Sequence, residues 1–168
     1  LLVLSPTLTP FQARASPSSP NVVVDRVDHV VQIRKGGLIV VNDTITLSVT
    51  DGLANFSVGF PYEYQSHLDY AFAYEAANPS KRLEITLNYG LGEMGFYGVN
   101  VRFSPALSQG AYSFTVVFVF SGLVLVSPYA FDESNLFHAQ FPLYPSLGEN
   151  VSTCSVSVMF PVGFDYTG

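Results

Sequence analysis

Three histidines, one cysteine and thirteen carboxylates are the side chains of this chain suited to metal ligation, nucleophilic attack or acid–base work. His29, His67 and His138 lie far apart, with no H-x-H, H-x-x-x-H or H-E-x-x-H spacing. A metal centre would have to be assembled from distant parts of the fold, so each histidine reads as structural or surface. The lone cysteine, Cys154, permits neither an intramolecular disulfide nor a cysteine-based zinc site, and reads as a small buried hydrophobe in a strand. Glycoside hydrolysis needs two carboxyl groups roughly 5–10 Å apart. Asp69 with Glu75, and Asp132 with Glu133, are the pairs to consider, but both suit a solvated face. Asp43 and Asp51 could bind calcium together with loop carbonyls, although no D-x-D-x-D loop supports them. Gly90-Leu91-Gly92-Glu93-Met94-Gly95 has the G-x-G-x-x-G spacing of a dinucleotide loop, but no helix follows it, so it reads as a plain loop. No G-x-S-x-G or Walker A motif occurs. The expectation is a chain with no catalytic, cofactor-binding or metal-binding residue, no cofactor, and no enzymatic activity of its own.

The elements that would carry these residues read as β throughout. Hydrophobic residues make up 48% of the 168 and charged residues only 12%, which argues against disorder. Fourteen Phe and ten Tyr suit a pleated, half-buried surface, and thirteen Gly and eleven Pro supply the turns between strands. Alternation marks the strands. Asn21–Arg34 is Val-rich, with a bend near Asp25–Asp28, and a Lys35-Gly36-Gly37 turn leads into Leu38–Val49. There Val41, Ile45, Leu47 and Val49 share one face, and Asn42, Thr44, Thr46 and Ser48 the other. Strands follow at Asn55–Phe60, Leu68–Glu75, Arg82–Tyr89 and Phe96–Phe103. Pro61–Ser66, Asn78-Pro79-Ser80 and Ser104–Gly110 read as loops or turns. Ala111–Val126 has no charge, but sixteen residues fall short of the roughly 20 that span a bilayer. It reads as a central strand with a bulge at Ser121-Gly122. Asn135–Tyr144 reads as an edge strand and Val151–Phe160 as the last clear strand. No helix and no internal repeat are evident. The fold expected is an antiparallel β-sandwich of two packed sheets.

Net charge is −6, with seven cations against thirteen anions, which supplies no basic patch for nucleic acid or for an anionic membrane surface. Leu1–Leu4 is apolar, and Ala13-Arg14-Ala15 fits a cleavage site before Ser16. Residues 1–15 therefore read as a signal-peptide remnant and 16–20 as a flexible lead-in. Residues 21–168 read as one β-sandwich domain truncated at its C-terminus. Three N-glycosylation sequons agree with an extracytoplasmic location: Asn42-Asp43-Thr44, Asn55-Phe56-Ser57 and Asn150-Val151-Ser152.

The second half of the chain carries a family resemblance. Val124-Leu125-Val126-Ser127-Pro128-Tyr129 is followed by Glu133 and by Phe137-His138-Ala139-Gln140-Phe141. Leu143-Tyr144-Pro145-Ser146-Leu147, Val156-Ser157-Val158-Met159-Phe160-Pro161 and Tyr166-Thr167 come next. This order, together with the early hairpin Gly37–Thr46, resembles the lumenal region of the ribophorin I family, a subunit of oligosaccharyltransferase. Leu143-Tyr144-Pro145-Ser146 stands where the family has a Tyr-Ser-Pro-Tyr-like stretch. The resemblance spans about Val22–Thr167. It implies the first of two tandem lumenal β-sandwich domains, similar to the N-terminal β-domain of M1 aminopeptidases. It also implies a membrane anchor further along the full-length protein, and a non-catalytic role in substrate capture or subunit packing beside a glycosyltransferase. It carries over no catalytic residue. The expected function is an extracytoplasmic interaction domain, in the endoplasmic reticulum lumen or at the cell exterior, with protein partners such as membrane glycosyltransferase subunits. The alternative is a secreted carbohydrate-binding or adhesive module whose exposed Tyr62, Tyr64, Tyr70 and Tyr74 stack on sugars.

Overall fold

In the computed structural model, residues 21–90, 95–126 and 137–163 are described. The signal remnant and lead-in, Leu91–Met94 of the glycine-spaced loop, and Asp132 and Glu133 lie outside the described residues.

About 70% of the described residues are in strands, so the all-β expectation stands. In chain order the strands are β1 (Val22–Ile33), β2 (Ile39–Val49), β3 (Leu53–Pro61), β4 (Leu68–Glu75), β5 (Asn78–Gly90), β6 (Phe96–Leu107), β7 (Gly110–Phe120), β8 (Val124–Val126), β9 (Phe137–Ala139) and β10 (Val151–Met159). Eight of them form one continuous sheet in the order β10-β1-β2-β7-β4-β5-β6-β3, while β8 and β9 pair separately. Neighbours run antiparallel except β1 and β10, which are parallel, so the sheet is mixed.

These eight strands make a single sheet curled into a half-barrel. The curl is visible in the aromatic contacts. β3 and β7 are separated by three strands in sheet order, yet Phe56 meets Phe114 at 5.8 Å, and Phe60 meets Phe118 and Phe120 at 5.3 Å each. These edge-to-face pairs form the centre of the core. β5 makes the corner. Arg82 and Leu83 pair with β4, whereas Glu84–Thr86, Tyr89 and Gly90 pair with β6. Where β3 crosses β6, Gly98 faces Gly59, and a Cβ on Gly98 would sit 2.2 Å from the Val58 carbonyl oxygen. Only glycine permits that approach.

Alternation fills the interior as expected. Ile39, Val41, Ile45, Leu47 and Val49 of β2 are buried, as are Phe114, Val116, Phe118 and Phe120 of β7. The bend in β1 has a structural purpose. Its register against β2 shifts between Val24 and Arg26, so Asp25 is an extra residue. That bulge flips the parity of the strand. Val22 and Val24 are buried before it, and Val27, His29, Val31 and Ile33 after it.

Several boundaries differ from the sequence reading. The turn expected at Asn78-Pro79-Ser80 lies at Ala76-Ala77, and Asn78 opens β5 instead. Pro61–Ser66 is not an open loop, because Tyr62–His67 forms a 3-10 helix. β6 runs through Pro105 to Leu107. The uncharged run divides at Ser121-Gly122 into β7 and β8, and Gly122 adopts φ 69°, a left-handed break suited to glycine. Among the described residues no helix is long and apolar enough to cross a membrane. Among the described residues of Asn135–Tyr144 only Phe137–Ala139 is strand, and it pairs with β8 rather than with the edge of the main sheet.

The segment after β9 acts as a strap across the open side of the curl. The Gln140 N–H donates to the Leu123 carbonyl at 3.0 Å. The Pro142 carbonyl meets the His29 ring at 3.1 Å, and Ser146 exchanges two backbone hydrogen bonds with Gly59. β1 stands near one edge of the sheet and β3 at the other, so the strap links its two ends. Phe141 and Leu147 pack against the core beneath it.

Candidate functional site

The face of β4 that points away from the core carries the most unusual surface. Strand parity turns Ala71 and Ala73 inward, where both are buried, and Tyr70, Phe72 and Tyr74 outward. Large side chains would not fit on the inner side. Ala71 is paired with Phe118 and Ala73 with Val116, and the rings of β7 and β3 already fill that space. The aromatic residues of β4 therefore form an outer row. Tyr70 and Phe72 are 5.6 Å apart between ring centres, and Phe72 and Tyr74 6.1 Å. From β5 the Arg82 guanidinium lies 4.2 Å from the Phe72 ring centre and 5.9 Å from that of Tyr74, a cation–π arrangement. Lys81 and Glu75 close one end of the row with a 2.8 Å ion pair.

The row continues across the sheet in register. Tyr70 is beside Val119 and Val40, Phe72 beside Val117 and Asn42, and Tyr74 beside Thr115 and Thr44. Thr44 and Thr115 share a hydroxyl hydrogen bond of 2.9 Å, and so do Thr46 and Ser113. Val117 and Thr115 are buried, so the surface that remains is the exposed Tyr70 with the half-buried Phe72 and Tyr74, and one cation over them. Tyr70 is 59% exposed, so part of the row is open to a partner. Tyrosine and arginine are the residue types enriched in binding hot spots.

The other tyrosines divide. Tyr62, on the 3-10 helix, is exposed and stands edge-on to Tyr97. Tyr64 is a correction to the sequence reading. It is buried against Phe120, and burial pushes its hydroxyl pKa up. It faces inward because the 3-10 helix tucks one side under the sheet, so it cannot meet a sugar.

Two of the histidines, His29 and His67, have assigned neighbours. His29 and Asp43 are direct cross-strand partners on the inner face, both almost fully buried, with Nδ1 to Oδ1 at 2.5 Å. Nε2 faces the Pro142 carbonyl, which can only accept, so that nitrogen carries its hydrogen. A second proton must lie between Nδ1 and Oδ1. Burial pushes the Asp43 carboxyl above its ordinary value, and the His29 bond pulls the other way. The pair is closed off from solvent and fastens the strap to β1. His67 Nδ1 contacts the Ser121 carbonyl at 3.0 Å beside the Gly122 break. The backbone of His138 lies in β9.

The carboxylate readings resolve as follows. Asp69 accepts from the Ser121 hydroxyl at 2.9 Å, and Glu75 pairs with Lys81. They stand six residues apart on one strand, a separation of roughly 20 Å, too long for a glycosidase pair. Asp43 is committed to His29, and Asp51 accepts from the Gly52 N–H of its own turn. Among the described residues no group of three metal-binding side chains comes together. Cys154 is a second correction, since it is exposed on β10 rather than buried. Its strand lies at the edge of the sheet, where neither face is fully covered. Partial desolvation, with Asp43 and Asp28 nearby, pushes its thiol pKa up and disfavours the thiolate.

Of the sequon asparagines, Asn55 and Asn150 are exposed, and Asn42 is half-buried on the outer face of β2. Asn55 accepts a long 3.4 Å contact from Asn100. Asn42 is two strands from Phe72, roughly 10 Å away.

No protein-family model matches the chain, and no curated protein matches it. Solved structures similar to it include an M1 zinc metallopeptidase from Deinococcus radiodurans, 12% identical over 64% of this chain and 21% of that chain, at a TM-score of 0.39. Another is a variant of a two-domain M1 zinc metallopeptidase bound to L-arginine, 13% identical over 84% of this chain and 33% of that chain, at a TM-score of 0.46. The chain spans between about a fifth and a third of the length of these two structures.

Proposed function

We propose that this chain is a non-catalytic, extracytoplasmic interaction domain that binds protein partners through the outer face of β4. The observation that carries this reading is the outward aromatic row of the exposed Tyr70 and the half-buried Phe72 and Tyr74 under Arg82. Evolution of a soluble surface ordinarily places polar residues there, and contiguous exposed apolar strips mark binding sites. The sequence resemblance to the ribophorin I family supplies the kind of partner, a membrane glycosyltransferase complex of protein N-glycosylation. On this reading residues 21–168 act as one sandwich-like module, two layers of a folded-over sheet. The leader precedes it, glycans at Asn42, Asn55 and Asn150 face the lumen, and an anchor follows in the full-length protein. The test is affinity purification of the tagged full-length protein from detergent-solubilised membranes. Recovery of glycosyltransferase subunits with the wild type, and their loss with Tyr70→Ala, supports the reading. Recovery of the protein alone overturns it.

A carbohydrate-binding or adhesive module is the second reading. It draws on Tyr62 and Tyr70, which are equally exposed, as stacking platforms for sugars. Arg82 already occupies one face of Phe72, which leaves fewer free ring faces for sugar stacking and favours the protein partner. A glycan array without hits removes this second reading.

A further inference from the structure

The two edges of the curled sheet are built differently. β3, at one edge, is interrupted and covered. Its register against β6 shifts between Leu53 and Asn55, it ends in Pro61, and Gly59 exchanges both backbone groups with Ser146 of the strap, at 2.9 and 2.8 Å. These are the devices by which proteins block edge-to-edge pairing. Among the described residues, β10, at the other edge, has none of them. Its nine residues, Val-Ser-Thr-Cys-Ser-Val-Ser-Val-Met, include no charge, no Pro and no Gly. They follow β1 without a register shift from Val24↔Val151 to Gln32↔Met159. Among the described residues, no strand lies beyond β10.

We infer that β10 is a self-pairing edge, and that its occupant is the β10 of a second copy laid antiparallel across a twofold axis. Charge favours a second copy. At a net charge of −6 two copies repel each other overall, so they can meet only where carboxylates are absent or neutralised. β10 is uncharged, and the nearest carboxylate on the outer side, Asp28, is held by Arg26 at 2.7 Å and by the Ser155 hydroxyl at 2.5 Å. The sequence of β10 also complements itself. With the axis at Ser155, all nine residues overlap. On the outer face Ser155 meets Ser155 of the second copy, and Thr153 meets Ser157. On the inner face Cys154 meets Val156, and Ser152 meets Val158. Hydroxyl-on-hydroxyl cross-strand pairs are favourable, and the same sheet already uses them at Thr44–Thr115 and Thr46–Ser113. Pairing would also cover Val156, which is 38% exposed although it points to the inner face. β10 lies four positions from β4, so this contact leaves the outer aromatic row free.

The register can be read by cross-linking. With the axis at Ser155, the two Cys154 residues are diagonal neighbours, with Cα atoms roughly 7–8 Å apart, too far for a disulfide. The two Ser155 positions are directly opposite at about 4.5–5.5 Å, within disulfide reach. The experiment is light scattering on the size-exclusion-purified chain over a concentration series, with two variants. The wild type should form a concentration-dependent dimer. Ser155→Lys sets two ammonium groups face to face at the axis while each keeps Asp28 as a partner, and should weaken the dimer at least tenfold with an unchanged thermal melt. The double variant Cys154→Ser/Ser155→Cys should convert to a covalent dimer under mild oxidation, and this arm decides the matter if Ser155→Lys unfolds. A wild type that stays monomeric at the highest concentration overturns the inference and leaves the edge to a different strand. So does a dimer indifferent to Ser155→Lys, or a double variant that remains uncross-linked.

Discussion

The His29–Asp43 pair lends itself to a quantitative test, because two substitutions of one residue separate its hydrogen bonding from its burial. Both side chains are about 1% exposed, and the pair ties β1, β2 and the Pro142 carbonyl together. Asp43→Asn keeps every bond. Nε2 still donates to Pro142, and Nδ1 accepts from the new amide. The cost should be about 1 kcal/mol, the net value of one modest hydrogen-bond exchange. Asp43→Ala leaves Nδ1 without a partner in a dry interior and opens a small void, and should cost about 3 kcal/mol. Against a total stability of roughly 5–15 kcal/mol that is a large fraction, and it should lower the melting temperature by on the order of 10 °C. Urea denaturation followed by circular dichroism at neutral pH reads both values. If the alanine and asparagine variants lose the same stability, or if alanine costs less than asparagine, the reasoning about the shared proton and the buried ring is refuted.

Three further outcomes follow from the packing. Phe118, fully buried between Phe60 and Phe120, should tolerate no charge, and Phe118→Asp should yield a chain without a cooperative thermal transition. Gly98→Ala drives a Cβ to 2.2 Å from the Val58 carbonyl and should cost several kcal/mol in a urea titration, whereas Gly52→Ala, with open space around it, should cost under about 1 kcal/mol. Asp28 is held below the ordinary carboxyl range by its hydrogen bonds to Arg26 and Ser155, so the folded state favours its ionised form. Its contribution is present above the ordinary value near 3.8 and is lost as pH falls through the lowered one. The stability gap between the chain and Asp28→Asn should therefore be small at neutral pH and vanish in acid.

Strand positions were legible because side-chain parity is a local property. β2 and β4 fall within a residue or two of where alternation places them, β7 starts one residue early and stops at Phe120 rather than Val126, and the β1 bulge falls at Asp25, inside the expected bend. Sheet order was not legible, because nothing in β3 or β7 announces that Phe56 will meet Phe114 from the far end of one curled sheet. Local turn chemistry misled at Asn78-Pro79-Ser80, where pairing with β4 overrides the preference of the tripeptide. Of the aromatic row, Tyr70 and Tyr74 were named from the sequence as surface candidates. Arg82 was missed because its place over Phe72 depends on the β4–β5 register. The buried partner of His29 had a visible signal. Asp43 occupies a core-facing position between Val41 and Ile45, and a carboxylate on that face requires a buried donor. Cys154 was misread because parity says which way a side chain points, not whether anything covers it.

The central claim is that the outer face of β4 is where this domain meets a protein. The most direct measurement places a photo-activated benzoyl-phenylalanine at position 70 of the full-length protein and irradiates intact membranes. The account predicts a discrete covalent adduct with a membrane glycosyltransferase subunit, absent when the same probe replaces the exposed Val23 of β1. No adduct from position 70, or the same adduct from both positions, would contradict it.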